Sequence, residues 1–301
     1  MALKPSKTHR HNDYNQKFAA GVLLNVIFVA VEAGYGIVAG SLALIADAGH
    51  NLSDVLSLLL AWGASLLAAK SATEKRTYGF RKVTIMASLV SALVLLVALG
   101  GITWEAIGRF INPRQVSGPV VIIVASIGVV INSLTAMLFY RGQKNDLNIR
   151  GAFLHMTADA GVSLGVIIAG ILISLQGWLW IDPVISLAIV VVILIGTWGL
   201  LRDSINYAID AVPEGIDIGS VREYLTGIEC VSRLHDLHIW PLSTTEVALT
   251  VHLVVSDDAL NNKLLGEVQQ QLHERFGIEH STIQVEKQDT ENDCMLDNQK
   301  C

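Results

Sequence analysis

Long apolar segments alternate with short polar loops over the first two thirds of the chain. A helix needs about 20 predominantly apolar residues to cross a bilayer, and six segments reach that length. The loops between them are short, so neighbouring helices are expected to run antiparallel. The pattern predicts an α-helical membrane protein with six transmembrane helices at residues 18–40, 43–69, 83–108, 119–140, 150–175 and 179–201.

The pattern changes after Asp203, where shorter amphipathic and alternating segments replace the long apolar ones. Apolar residues recur at helical spacing in two segments, and three other segments have the character of strands. In one of these strands Val247, Leu249, Val251 and Leu253 alternate with other residues. The predicted elements are helix 218–228, strand 235–241, strand 246–255, helix 258–276 and strand 281–286. This α-β-β-α-β order predicts a small, metallochaperone-like α+β domain.

The two patterns together predict four parts. They are an N-terminal segment (1–17), a six-helix transmembrane domain (18–203), an α+β domain (204–287) and a flexible tail (288–301).

Composition supports lipid as the main solvent of the helical part. Only 16% of the residues are charged and 52% are hydrophobic, whereas a soluble domain usually has about 25% charged residues. Loops rich in Lys and Arg face the cytoplasm. Such residues concentrate before Lys17 and in the loops after the second and fourth spans, while the loop after the third span has only Arg109 and Arg114 nearby. Both termini are therefore predicted to be cytoplasmic.

Several classes of protein are disfavoured. The net charge of -6 comes largely from the last hundred residues, so no basic surface for nucleic acid is indicated. The apolar run from Phe18 is too long for a signal peptide and is predicted to be a retained helix. Cys230, Cys294 and Cys301 lack the spacing of a disulfide framework, which favours a reducing, cytoplasmic location. We find no nucleophile with a base and no phosphate loop, so an enzyme is not expected.

Two of the predicted spans carry the same pair of ionisable residues. The second span contains His50 and Asp54, and the fifth contains His155 and Asp159. Residues four apart lie on one face of a helix, so each pair points in one direction. Asp47 lies on the same face as His50. Ionisable groups in a membrane helix are costly and usually face a cavity or a partner.

Face to face, the two pairs supply two imidazoles and two carboxylates. Nitrogen and oxygen ligands in a tetrahedron suit zinc, and two carboxylates balance the charge of a divalent cation. A single such residue could equally form an interhelical hydrogen bond, but the repeated spacing favours a metal site. Asp47 is interpreted either as a vestibule residue that attracts cations or as a structural residue. The remaining polar residues of the spans are expected to join helices or line the pathway: Asn25, Glu32, Asn51 and Asn132.

These motifs resemble those of the cation diffusion facilitator family, and most closely its bacterial zinc exporters. Two further stretches contribute to the resemblance, Tyr78-Gly79-Phe80-Arg81 and His235-Asp236-Leu237-His238-Ile239-Trp240. It extends from about Lys17 to Cys294. It implies a homodimer in the bacterial inner membrane that exchanges cytoplasmic zinc for protons. It also implies a set of transport ligands, namely His50, Asp54, His155 and Asp159.

The family also binds metal in its cytoplasmic domain. The matching positions here are His235, His252, His280 and Glu286, which implies a structural or regulatory zinc ion. Sheet neighbours of this kind can converge on one ion. His238 is a weaker candidate, because alternation along a strand should point it to the opposite face from His235.

The chain departs from some members of the family. Residues 141–150 contain no His, and residues 70–82 contain no cluster of ligands, so we expect no metal site in either loop. Four residues near the termini would form an accessory site across the dimer or would simply be solvated: His9, His11, Cys294 and Cys301. Two alternatives to zinc export stay open, namely a broader exporter of cadmium, cobalt or iron, and a membrane metal sensor.

Overall fold

The computed structural model describes residues 26–68, 70–140, 147–256 and 262–287. Several helical positions are described by their backbone alone: 54, 57, 58, 61, 62, 65, 138, 139 and 147–152. The described residues form two compact units. The first contains the residues up to Leu59 and those from Ser91 to Gly199, and the second contains the rest.

Six helices account for the N-terminal two thirds of the described chain. They are α1 (Val26–Ala39), α2 (Leu42–Ala68), α3 (Val83–Ile111), α4 (Gly118–Tyr140), α5 (Leu147–Gln176) and α6 (Ile181–Ala208). Among the described residues, four segments are long and apolar enough to cross a membrane: Val83–Ile111, Gly118–Met137, Phe153–Gln176 and Ile181–Ala208. The predicted total of six spans therefore stays a prediction. Helix α6 also continues past its predicted end at residue 201.

The outward faces of these helices are apolar. Val97, Trp104 and Ile195 are 77%, 81% and 72% exposed, respectively. A protein dissolved in water rarely presents a continuous apolar surface of this kind. The interior instead holds a core of small and branched side chains, together with buried polar residues such as Asp47 and Asp159. This inversion of the usual pattern is what a surrounding lipid phase requires.

Helices α4 and α5 pack at close range. A side chain in place of Gly118 would overlap Ser174 and would approach the carbonyl oxygen of Gly170 to 2.6 Å. Small residues at a helix interface allow this approach in membranes, where van der Waals packing replaces the hydrophobic effect as the force between helices. The contact fixes α5, the helix that carries His155 and Asp159.

The start of α2 is held by a buried polar network. Asp182, at the start of α6, accepts hydrogen bonds from Ser41 Oγ (2.5 Å) and from the amides of Leu42 (2.8 Å) and Ala43 (3.2 Å). Arg109 of α3 pairs with Asp182 at 3.2 Å and also donates to the carbonyl oxygen of Gly40. The Asp182 carboxylate therefore caps the N-terminus of α2 in the way that an N-cap residue normally does from its own helix.

The second unit contains the predicted α+β domain. Its elements are α7 (Ile218–Thr226), β1 (Val231–Pro241), β2 (Val247–Val255), α8 (Asn262–Phe276) and β3 (His280–Lys287). The predicted α-β-β-α-β order is confirmed. Strand β2 lies at the centre, antiparallel to β1 and parallel to β3. Strand β2 has a neighbouring strand at each edge, and Ala248 and Val254 are buried as well as the alternating residues that the sequence singled out.

Strand β1 contains a bulge beside the predicted metal ligands. His235 lies opposite His252, but His238 lies opposite Thr250, so β1 has one residue more than β2 over this interval. Asp236 takes up the extra residue with a left-handed φ of 51°. Asp is among the few non-glycine residues that tolerate this conformation. Because of the extra residue, side chains do not alternate regularly between the two faces of β1 from His235 to His238. The alternation rule therefore does not determine which face His238 occupies.

The segment that precedes α3 packs against the α+β domain within the second unit. Arg81 pairs with Glu246 at 3.1 Å, and Lys82 pairs with Asp210 at 2.7 Å. Gly79, in the Tyr-Gly-Phe-Arg motif, has a φ of 68°, and a side chain there would approach the carbonyl oxygen of Lys70 to 3.3 Å. Glycine therefore permits the turn that presents these basic residues.

Candidate metal centres

Helices α2 and α5 bring three of the four predicted transport ligands together. His50 Nε2 lies 3.1 Å from Asp159 Oδ1, and His155 Nε2 lies 3.6 Å from Asp159 Oδ2. The His50 and His155 rings meet edge to face, with centroids 5.8 Å apart. One ligand atom from each residue can be chosen so that all three lie within 4.8 Å of one another.

These distances fit a small divalent ion. Tetrahedral zinc with bonds of roughly 2.0–2.1 Å holds neighbouring ligand atoms about 3.4 Å apart. Asp159 is only 2% exposed, and its Oδ2 makes no hydrogen bond within the described part of the chain. The side chain of His155, by contrast, is 43% exposed. The cluster thus combines a buried carboxylate that lacks a full set of partners with one accessible imidazole.

The fourth predicted ligand, Asp54, has a described backbone and no described side chain. Its backbone lies in α2, one turn after His50. The side chain falls outside the described residues, so its role as a ligand stays a prediction.

Asp47 is buried beside the cluster of three. One of its oxygens, Oδ2, accepts a hydrogen bond from Ser163 at 2.9 Å, and the other has no hydrogen-bond partner among the described residues. It interacts electrostatically with Glu32 of α1, which accepts a hydrogen bond from Asn51 at 3.1 Å. Asp47 is therefore not part of the His50–His155–Asp159 cluster, and it has a polar environment of its own.

A second cluster takes one residue from each strand of the sheet. His235 of β1 and His252 of β2 lie directly opposite each other, and Glu286 of β3 bridges them. His235 Nε2 is 3.0 Å from Glu286 Oε2, and His252 Nδ1 is 2.9 Å from Glu286 Oε1. The second ring nitrogen of His235 is buried and makes no hydrogen bond within the described chain. Two imidazoles and a carboxylate are a donor set that suits zinc.

His280 does not join this cluster within one protomer, which corrects the predicted convergence of four residues. It is the first residue of β3 and lies opposite Ala248. Glu286 is six residues further along the same strand, and at about 3.3 Å per residue the two are roughly 20 Å apart. The ring of His280 instead contacts the edge of Tyr78, at a centroid distance of 5.5 Å. Their spacing of six residues along one extended strand separates them, whatever the register with the neighbouring strand.

Asp236 is a neighbour of the cluster that the sequence reasoning missed. Its Oδ1 lies 2.8 Å from His238 Nε2, and its Oδ2 lies 3.6 Å from His252 Nε2. The residue is present in the His-Asp-Leu-His motif, but alternation would have placed it on the face opposite His235. The bulge turns it back toward His252.

Two predictions concern residues outside the described chain. The proposed accessory site of His9, His11, Cys294 and Cys301 lies there, as does most of the loop at residues 141–150. Cys230, which is described, is buried and forms no disulfide with any described cysteine.

Comparison with known proteins covers nearly the whole chain. Residues 19–207 match the model of the cation efflux transmembrane domain, and residues 213–288 match the model of the cation efflux protein cytoplasmic domain.

Relatives of similar length match as well. A protein of Bacillus subtilis described as a cadmium, cobalt and zinc/H(+)-K(+) antiporter is 36% identical over 92% of this chain and 91% of its own length. The metal cation efflux system protein CzcD of Cupriavidus metallidurans is 36% identical over 93% of this chain and 89% of its own. The zinc transporter ZitB of Escherichia coli is 36% identical over 98% of this chain and 96% of its own.

One solved structure also matches, the metal-bound C-terminal domain of the CzcD transporter from Cupriavidus metallidurans. It is 40% identical, covers 24% of this chain and 99% of that domain, and has a TM-score of 0.22. The transmembrane match alone spans more than half of the residues, and the relatives match from end to end. This chain therefore belongs to the cation efflux family and is a multi-pass membrane protein.

Proposed function

We propose that this chain exports zinc from the cytoplasm across a bacterial inner membrane, in exchange for protons. The observation that carries the proposal is the convergence of His50, His155 and Asp159 between two membrane helices. The names of the relatives support both zinc transport and exchange for protons, since they include a zinc transporter and a cadmium, cobalt and zinc/H(+)-K(+) antiporter. Asp54 is proposed as the fourth ligand, because it follows His50 by one helical turn.

The chemistry of the ligands explains how metal and protons can exchange. Imidazole and carboxylate ligands bind a metal only when they are deprotonated, so metal binding displaces protons. When zinc leaves on the outer side, the empty ligands are free to take up protons there. A return to the inward-facing state carries those protons into the cell. No thiolate holds the ion among the described ligands, which suits a site that must release its cargo.

We further propose a second zinc ion in the cytoplasmic domain, held by His235, His252 and Glu286. The buried His235 Nδ1 without a hydrogen-bond partner in the described chain and the mixed nitrogen and oxygen donors fit that ion. Bound there, zinc would link all three strands and stabilise the sheet. His280 could serve as a ligand only in a site that is shared between two protomers.

The assembly and topology belong to the same proposal. We infer a homodimer, because the cytoplasmic domain of cation efflux proteins, which residues 213–288 match, is classified as a dimerisation domain. The apolar segments support six spans, and the distribution of Lys and Arg supports a cytoplasmic location for both termini. The division into segments 1–17, 18–203, 204–287 and 288–301 is retained, although α6 runs through Ala208.

Broader export of divalent metals is the second candidate. The Bacillus subtilis relative is named for cadmium and cobalt as well as zinc. Competition between zinc, cadmium, cobalt, iron and manganese for entry into the same vesicles would rank them. A metal sensor would bind metal without moving it, so flux separates this reading from both kinds of exporter.

The decisive measurement is zinc flux into inside-out proteoliposomes under an imposed pH gradient. The wild type should accumulate zinc, and faster when the lumen is acidic. Asp159→Asn and His155→Ala should lose most of the flux, because each removes one ligand of a small set. His273→Ala, the same change at an exposed residue of α8, is the matched control and should transport normally. Zinc binding without flux in the wild type would point to a sensor, and flux that ignores the gradient would exclude proton exchange.

A further inference from the structure

Helix α1 carries a glutamate that the transport site does not use. Glu32 is fully buried, with an exposure of 0%. Its Oε2 accepts the hydrogen bond from Asn51, and its Oε1 has no hydrogen-bond partner in the described part of the chain. An isolated charge inside a bilayer is expensive, so intramembrane acids are neutralised or paired.

Asp47 lies on α2 one helical turn before Asn51, the donor to Glu32, and therefore on the same face of that helix. It is 1% exposed and also has one oxygen, Oδ1, without a hydrogen-bond partner in the described chain. The two carboxyl groups interact electrostatically. No Lys or Arg of the described residues interacts with either of them. Two adjacent buried carboxylates repel each other, and sharing one proton removes the repulsion.

The groups that face the pair come from α2 and α5. On α2 these are Asn51 and His50, and on α5 they are Ser163 and Asp159. Asn51 and Ser163 are neutral donors. His50 and Asp159 belong to the transport site and act on Asp47 through space. The pair is therefore separate from the metal ligands but within reach of any charge placed on them.

We propose that Glu32 and Asp47 hold a single shared proton that is exchanged against the metal, in addition to protons displaced from the ligands themselves. This inference rests on the proposed zinc/proton exchange. A divalent ion at His50 and Asp159 favours ionisation of the pair, so the carboxyl O–H bond breaks and the proton passes to water. Loss of the ion restores the proton from water. Linkage requires the converse as well, so protonation of the pair weakens metal binding.

The test uses Glu32→Gln in the full-length protein. Glutamine keeps the size of the side chain and an oxygen for the Asn51 hydrogen bond, but it cannot release a proton. Purified wild type and variant would be titrated with zinc in weakly buffered detergent solution, with a pH-sensitive dye to count the protons released per zinc bound. We expect the variant to bind zinc and to release about one proton fewer. Glu214→Gln, the same change at a residue 64% exposed, should release the wild-type number.

Infrared difference spectra, recorded with and without zinc, distinguish a proton-holding role of Glu32 from a purely structural one. A structural role would not change the carboxylic acid band when zinc binds. The wild type should lose the carbonyl band of a protonated carboxylic acid when zinc binds, and Glu32→Gln should lack that change. Asp47→Asn is the second variant, for the case in which Glu32→Gln fails to fold. A lone buried Glu32 would stay protonated, so the band should persist with zinc.

The outcomes separate this inference from the proposed function. A wild type without zinc flux or without proton exchange would overturn the proposed function itself. Normal exchange with unchanged proton release and an unchanged infrared difference in Glu32→Gln would overturn only the shared proton. A zinc flux that needs potassium or sodium in the wild type, and loses that need in Glu32→Gln, would show that the pair holds a monovalent cation instead.

Discussion

Asp236 illustrates how a single backbone conformation can place a functional group. Its φ of 51° allows β1 to accommodate an extra residue, and its carboxylate then faces His252 and His238. Non-glycine residues in such conformations cost free energy and often mark functional sites. A carboxylate that bonds the far nitrogen of a metal-ligating imidazole orients the ring and raises its basicity. Asp236 Oδ2 lies 3.6 Å from His252 Nε2, and we predict that it positions this ring for the proposed zinc ion.

Replacing Asp236 by Asn should separate the effect of its charge on zinc affinity from the effect of its backbone conformation on stability. Asn tolerates the left-handed region almost as well as Asp, so Asp236→Asn should leave the unfolding temperature without metal nearly unchanged. Its affinity for zinc in the cytoplasmic domain should fall roughly 10- to 100-fold, as is typical when such a partner is lost. Zinc-dependent thermal shifts of the full chain, with the membrane site disabled by Asp159→Asn, would measure this. Equal affinity in Asp236→Asn would remove the positioning role.

His50 is the residue on which metal selectivity should depend. Imidazole forms short bonds and suits small tetrahedral ions, whereas carboxylates adapt to larger ions and higher coordination numbers. His50→Asp should therefore gain cadmium or manganese transport relative to zinc. Competitive uptake of the three metals by wild type and variant in matched vesicles is the measurement. If transport persists with an unchanged order of preference, selectivity arises elsewhere in the site.

At the level of elements, the start of α2 depends on a residue of another helix. Asp182 pairs with the buried Arg109 and caps α2. Asp182→Asn keeps a capping oxygen but takes the buried carboxylate away from the Arg109 guanidinium, which retains the partly exposed Glu105 at 3.3 Å. Breaking a buried pair in this way costs up to about 3–5 kcal/mol. Thermal unfolding in detergent should show a large loss of stability.

The double variant Asp182→Asn/Arg109→Met provides the control. It removes both charges, so it should recover part of the stability that the single variant loses. A double variant no more stable than Asp182→Asn would mean that the damage comes from the lost cap and not from an unpaired charge.

Local spacing explains which parts of these sites the sequence could predict. His50, His155 and Asp159 were found because a helix repeats about every 3.6 residues, so residues four apart share a face. The Asp182–Arg109 pair joins residues 73 positions apart with no repeated pattern, and nothing local indicates it. His280 and Glu286 flank one strand, and the length of that strand keeps them too far apart to share an ion within one protomer. Asp236 was missed because a bulge interrupts the alternation.

At the scale of the whole molecule, His252 and His280 distinguish a site within one protomer from a site shared by two. His252→Ala removes a member of the described cluster and should abolish most of the zinc-dependent stabilisation of the cytoplasmic domain. His280→Ala should leave it unchanged, because His280 lies at the far end of β3. Thermal shifts with the membrane site disabled by Asp159→Asn test both. A comparable loss in His280→Ala would show that a second protomer completes the site.

Both variants should retain zinc flux, at a reduced rate for His252→Ala, because the proposed pathway lies in the membrane helices. Complete loss of flux in a well-folded His252→Ala protein would instead make the cytoplasmic ion a requirement for transport.

The separation of the proposed transport ligands along the chain has a consequence for synthesis. His50 and Asp159 are 109 residues apart, on the second and fifth helices. A nascent chain that has emerged only as far as α4 contains only His50 and Asp54 of the four proposed transport ligands, which is too few donors to hold zinc firmly. The pathway therefore becomes competent only after α5 has been inserted beside α2. We therefore expect a chain truncated before α5 to lack the proposed transport site.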